Sequence, residues 1–211
     1  LGSFANTPAH ELGAAAIRAV LERAGVDAAD VSETILGQVL TAGQGQNPAR
    51  QAHINAGLPI ESSAWGINQV CGSGLRSIAA GYQSILLNDA KIVIAGGQES
   101  MTNSENQMML KDGLIDAYNN YHMGITAENI ADKYEISRND QDIFALNSQN
   151  KTQNAIKENK FQEELIKLQI TSDKKKFVFE KDEHPRSNLS LEDLKKLKTV
   201  FKEKGTVTAG N

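Results

Sequence analysis

An apolar run at residues 64–70 breaks off at the small residues Gly72-Ser73-Gly74. A helical pattern follows from about Gly74 to Asn88, and a second apolar run, Lys91-Ile92-Val93-Ile94-Ala95, ends at Gly96-Gly97. The reading is two buried strands with a helix between them. More of the same precedes it. Thr7-Pro8 reads as N-cap and first helical residue of a helix ending at Gly25, with Leu12, Ala16 and Val20 at four-residue spacing and Ile17, Leu21 and Ala24 beside them as its apolar face. Residues 34–40 read as a strand, and Asn47-Pro48 opens a short helix that stops at Gly57. The alternation predicts a layered α/β domain with mostly parallel pairing.

The 211 residues suffice for one large domain or two small ones, and 40% hydrophobic residues for a core. A single cysteine excludes an internal disulfide framework. No apolar run approaches the roughly 20 residues of a membrane span, so no membrane partner is expected. No signal peptide heads the chain, and the cytoplasm is the expected compartment. A formal charge of −4 argues against nucleic acid as a partner. Every lysine lies between Lys91 and Lys204, while the first ninety residues are rich in Ala and Gly. A core layer followed by a solvated helical segment accounts for the shift, and so does a chimeric origin.

Beyond Gln98-Glu99-Ser100-Met101 a loop-like stretch leads to Tyr121-His122-Met123-Gly124 and a helix over about 126–134. Ser137 with Asp140 has the form of a capping box and opens a long helix ending near Asn159. Residues 164–170 and 177–180 read as short strands around an exposed run at 173–176. Its lysines suit a solvated face better than a phosphate site. Ser190 with Asp193 caps a helix reaching about Phe201, and the chain closes on Thr206-Val207-Thr208-Ala209-Gly210-Asn211, a turn-like end within a larger protein.

Cys71 is the residue that points to chemistry. In Asn68-Gln69-Val70-Cys71-Gly72-Ser73-Gly74 it sits on a tight strand-to-helix turn beside a helix N-terminus, where an anionic sulfur is favoured. Small residues at Gly72, Ser73 and Gly74 leave room for a substrate, and their amides are candidates to receive an oxyanion. A lone cysteine is more often a small buried hydrophobe; the turn and its glycines favour a nucleophile. His10 and His53 fall within helical patterns and His184 follows charged residues, so all three are expected at the surface or in caps.

These segments, with Asn6-Thr7-Pro8-Ala9-His10-Glu11-Leu12-Gly13 and Gln44-Gly45-Gln46-Asn47-Pro48-Ala49-Arg50-Gln51, resemble a thiolase of the biosynthetic, acetyl-CoA acetyltransferase branch. The resemblance runs the length of the chain. It implies the thiolase fold: one layered α/β half with a mostly parallel mixed sheet, plus an inserted helical loop domain. Residues 1–100 would be the α/β half, 101–205 the loop domain on the CoA side, and 206–211 the return into the first half before a second one. The chain also lacks the family's opening strand and carries fewer residues between Met101 and Lys111 than family members do.

What the resemblance implies for function follows residue by residue. Cys71 is the nucleophile that takes acetyl from acetyl-CoA, and its own backbone amide helps to stabilise the oxyanion. His122 and Met123 lie against the thioester and pantetheine, and Ala209 and Asn211 line the pantetheine channel. Asp193 stands where the family has a CoA-contacting serine and reads better as a helix cap. No cofactor or metal is implied, coenzyme A being substrate and product; the partners are acetyl-CoA and acetoacetyl-CoA, in a homodimer or homotetramer. The catalytic His and second Cys of the family belong to motifs not found in these residues, so residues 1–211 alone are expected to be inactive. The alternatives are a degradative 3-ketoacyl-CoA thiolase and a non-catalytic CoA-binding or scaffold fragment.

Overall fold

Strand β1 (Glu33–Gly37) is the middle of a three-stranded parallel sheet, flanked by β2 (Ser63–Ile67) and β3 (Val93–Gly97), with Ile35 opposite both Trp65 and Ala95. The computed structural model describes residues 2–172 and 175–211. They form two compact units, 2–113 with 166–179 and 114–165 with 180–211.

Because side chains alternate along a strand, the sheet of the first unit sorts its residues onto two faces. One face carries Leu36 and Ile94, which pack with Ile17 of α1 (Ala9–Ala24), Ala49 and Ala52 of α2 (Pro48–Asn55), Val31 and Leu58. The other meets α3 (Ser73–Leu86): Ser77 donates to the Gly96 carbonyl, and Gly81 lies against Val93 and Ala95. Only β1 is buried along its length; β2 and β3 are half-buried to exposed, with Trp65 37% exposed. The expectation that the strands near 64–70 and 91–95 are buried fails there, because β2 and β3 are the outer strands of this sheet.

Local signals place most helix ends. Gly25 closes α1 in the left-handed region, φ 62°, and its amide reaches back to the Glu22 carbonyl. The Asn47 side chain caps α2 by accepting from the Arg50 amide at 3.1 Å. Thr7 is not the N-cap of α1; Pro8 holds that position and the helix begins at Ala9. The buried face of α1 is Ala9, Gly13, Ala14 and Ile17, while Ala16 and Val20 are exposed. The small residues turn inward because α2 packs close: a Cβ on Gly13 would stand 3.2 Å from that of Ala52.

His53 corrects the sequence expectation outright. It lies on α2, fully buried, its Nδ1 accepting from the Thr34 hydroxyl at 2.9 Å and its Nε2 donating to the Pro59 carbonyl at 2.9 Å. Burial, reinforced by the Arg50 charge against the opposing pull of the Pro59 carbonyl, holds its pKa below the usual 6.5.

A short α4 (Asn106–Met109) lies near the end of the first stretch of this unit, and the hairpin β4 (Leu168–Ser172) and β5 (Lys175–Phe179) also belongs to it, the Phe179 ring lying 4.4 Å from that of Phe4. Of the run 173–176, Asp173 and Lys174 lie outside the described residues; Lys176 is exposed. The second unit holds α5 (Met123–Lys133), α6 (Arg138–Lys157) and α7 (Leu191–Lys195). Ser137 caps α6 as expected, and Ser190 with Asp193 closes a capping box on α7. Helix α7 stops at Lys195 rather than near Phe201, because residues 199–208 turn back on themselves: the Val200 amide donates to the Val207 carbonyl at 3.2 Å and Thr199 bridges Thr208.

Candidate active site

Cys71 is exposed on the turn between β2 and α3, as its flanking pattern predicts. The turn is held by Ser73, whose hydroxyl accepts from the Gln69 amide at 2.8 Å and donates to the Val70 carbonyl at 2.5 Å. The Asn68 side chain accepts from the Val70 amide at 2.9 Å. The amides of Gly72 and Ser73 donate to the Gln69 and Val70 carbonyls, both at 3.1 Å. The Gly72 amide is therefore committed to the turn.

Two features fix the sulfur's place. Val70 has φ 47°, in the left-handed region that a β-branched side chain rarely enters, and this bend throws the next residue outward. Beneath the turn, bare backbone meets bare backbone: a Cβ on Gly37 would lie 2.4 Å from the Ser73 carbonyl carbon. The start of α3 thus sits directly on the C-terminal end of β1. Glu99, after β3, accepts from the amides of Val39 and Leu40 at 2.8 and 3.2 Å and fixes the loop leaving β1. A cleft of about 380 Å³ opens at this end of the sheet, lined by Gln38, Thr41, Asn47, Ile67 and Asn68 among others.

The other expected site residues lie in the second unit. His122 is the N-cap of α5, its Nδ1 accepting from the Gly124 amide at 2.9 Å, which places the ring proton on Nε2. That Nε2 has no partner among the described residues. The His122 ring stacks on Phe201, centroids 4.8 Å apart and planes 20° from parallel. Gly124 makes the stack possible, since a Cβ there would come within 2.3 Å of the Phe201 ring. Met123 and Ala209 are exposed. Asn211 has its amide fully engaged: Nδ2 donates to Asp142 at 2.7 Å and to the Thr206 carbonyl at 3.2 Å, while Oδ1 accepts from the Thr208 amide and hydroxyl. Its polar atoms serve the chain itself. Asp193 likewise serves its cap, its carboxyl held below the usual carboxylate range by the Ser190 hydroxyl and amide.

Sequence reasoning missed Phe201, which it placed at a helix end, and the buried carboxylates Glu128 and Asp142. Glu128 falls just after Tyr121-His122-Met123-Gly124, and a charged residue there was the available signal. Among the described residues no group of three or more His, Cys, Asp or Glu is disposed to hold a metal ion, and no helix is long and apolar enough to cross a membrane.

An exposed cysteine on a strained turn, at the head of a helix seated on the C-terminal end of a parallel sheet, defines a class of α/β protein that presents a cysteine at a strand-to-helix turn. Comparison makes the class specific. The model of the thiolase N-terminal domain matches residues 1–108 and 103–211, and the chain belongs to that family. The two matches meet in the stretch where the resemblance expects a longer loop. An acetyl-CoA acetyltransferase of Paracoccus denitrificans is 56% identical over 227 residues, covering 100% of this chain and 58% of that protein. One of Rhizobium meliloti is 51% identical over 226 residues with the same coverage. The crystal structure of the Bacillus anthracis acetyl-CoA acetyltransferase superposes with a TM-score of 0.92 at 33% identity, covering 100% of this chain and 57% of the other. The chain thus spans somewhat over half the length of these relatives.

Proposed function

We propose that the chain is the nucleophile-bearing N-terminal part of an acetyl-CoA C-acetyltransferase, which condenses two acetyl-CoA to acetoacetyl-CoA and CoA. The observation that carries this reading is Cys71, exposed on its strained turn in a chain so similar to proteins of that name. In the first step the Cys71 thiolate attacks the thioester carbonyl, the carbon–sulfur bond to CoA breaks, and CoA leaves as a thiolate that takes up a proton from an acid in the rest of the protein or from water, with acetyl on Cys71. The Cys71 amide supports the oxyanion in passing. In the second step a carbanion formed by deprotonating a second acetyl-CoA attacks the acetyl carbon and frees Cys71. The base for that proton is a residue of the rest of the protein. His122 and Met123 are assigned to the thioester side of the bound CoA, and Ala209 to the pantetheine channel. The intact protein is read as a cytoplasmic homodimer or homotetramer.

Incubating the intact protein with acetyl-CoA should give a labile acetyl adduct that peptide mass spectrometry locates on Cys71. Cys71→Ser should abolish adduct and turnover while the protein remains folded. Normal turnover by the Ser variant would end the nucleophile assignment.

A further inference from the structure

We infer that Glu128 is a positioning residue for the CoA-binding wall of the second unit, gripping the segment that leads to Ala209 by its main-chain amides; this rests on the acyl-transfer reading above. Glu128 lies on α5 in the helix headed by His122 and is only 1% exposed. A carboxylate so buried persists only where donors surround it. Here all the hydrogen-bond donors come from one short segment. The Thr206 amide reaches Oε1 and Oε2 at 3.0 and 2.9 Å, the Val207 amide reaches Oε1 at 2.8 Å, and the Thr206 hydroxyl reaches Oε2 at 3.2 Å. Burial alone would raise this carboxyl's pKa, but these hydrogen bonds, with Lys202 nearby, prevail and hold it below the usual carboxylate range. Gly205 permits the approach, for a Cβ there would collide with Oε1.

The segment so gripped is tied to the rest of the expected wall. Val207 and Thr208 pair with Val200 and Thr199 across the turn that carries Phe201, and Phe201 is the ring on which His122 stacks. Fixing Thr206 and Val207 therefore fixes that ring and the approach to Ala209. The far end is anchored through a side chain. Asn211 donates to Asp142, a fully buried carboxylate that also takes the Arg138 Nε at 2.9 and 3.0 Å. Both carboxylates are closed off from solvent, so Glu128 acts through the main-chain amides it holds and Asp142 through the Arg138 and Asn211 side chains, neither by touching a ligand.

The test uses the intact protein. Glu128→Gln keeps the volume but turns an amide NH2 toward the N–H donors of Thr206 and Val207. It should raise KM for acetyl-CoA about tenfold while the acetylation rate of Cys71 at saturating acetyl-CoA changes little. Acetylation of Cys71 by a simple acetyl thioester without the pantetheine arm should be unchanged. Thr206→Val, which removes one donor, should move KM the same way by less. Hydrogen exchange at the Thr206 and Val207 amides should quicken about tenfold in Glu128→Gln, with the α5 amides unaffected. Equal losses with both donors would mean general damage and overturn the positioning role, as would unchanged exchange at the two amides or an unchanged KM. Cys71→Ser, run in parallel, reports on the acyl-transfer reading separately; if that reading fails, the exchange measurement still decides whether Glu128 holds the segment.

Discussion

Val70 spends its backbone on the position of its neighbour. A valine at φ 47° carries strain of about 1–3 kcal/mol, and that strain survives because Ser73 and Asn68 hold the turn from both sides. Val70→Gly removes the steric conflict but adds freedom to the unfolded chain, a cost of about 0.5–1 kcal/mol. The expected outcome is a net gain of about 1 kcal/mol in stability, measured by denaturant unfolding, with slower acetylation of Cys71 as the turn loosens. A variant that is less stable than the parent would show that the left-handed bend carries no strain. The same logic explains why the amides of Gly72 and Ser73 are poor candidates for an oxyanion: they already hold the bend together.

At the scale of elements, His53 joins α2 to β1 through Thr34 and to the following loop through Pro59. Its neutral ring satisfies both bonds, and protonation would put a donor against the Thr34 oxygen inside the core. The sign follows from the lowered pKa. The unfolded chain binds the proton near pH 6.5 and the folded protein does so only at lower pH, so this contribution is complete above 6.5 and lost as pH falls below it toward the folded value. The melting temperature of the intact protein should therefore drop on going from about pH 8 to about pH 5.5, and the drop should be smaller in His53→Gln. Parallel pH profiles for the two proteins would argue that some other group governs acid sensitivity. His53→Gln should also lower stability at neutral pH, since glutamine cannot meet Thr34 and Pro59 in the same geometry.

Over the whole molecule, the main unspent resource is the outer face of α3. Leu75, Tyr82 and Leu86 are 75%, 63% and 61% exposed, and Ile78 and Ile85 lie with them on the outer side of the helix. An amphipathic helix offering this much apolar side chain to water associates with whatever matches it. Residues 1–211 prepared alone should self-associate in sedimentation velocity, whereas a protein of the relatives' full length should give a single defined species. A monodisperse monomer of the 211-residue segment would contradict this.

The sequence by itself determined much of the architecture, because its signals are local. The glycine after α1, Asn47-Pro48 before α2, Ser137 before α6 and the Ser190–Asp193 box each settle their own backbone hydrogen bonds, and neighbours along the chain suffice to read them. Cys71 was legible for the same reason, lying between an apolar run and a helical pattern, and the motif around it brought the family into view. Tertiary structure decided what depends on distant partners. Whether β2 and β3 are buried depends on strand order, which alternation does not encode. Which face of α1 turns inward depends on how closely α2 packs, so Gly13 and Ala14 displace the larger Leu12 and Val20. His53 became a core residue, and Glu128 an anchor, only when Thr34, Pro59, Thr206 and Val207 arrived from elsewhere in the chain. A polar side chain is buried at a cost that distant donors and acceptors must offset, and no local pattern announces where those partners will be.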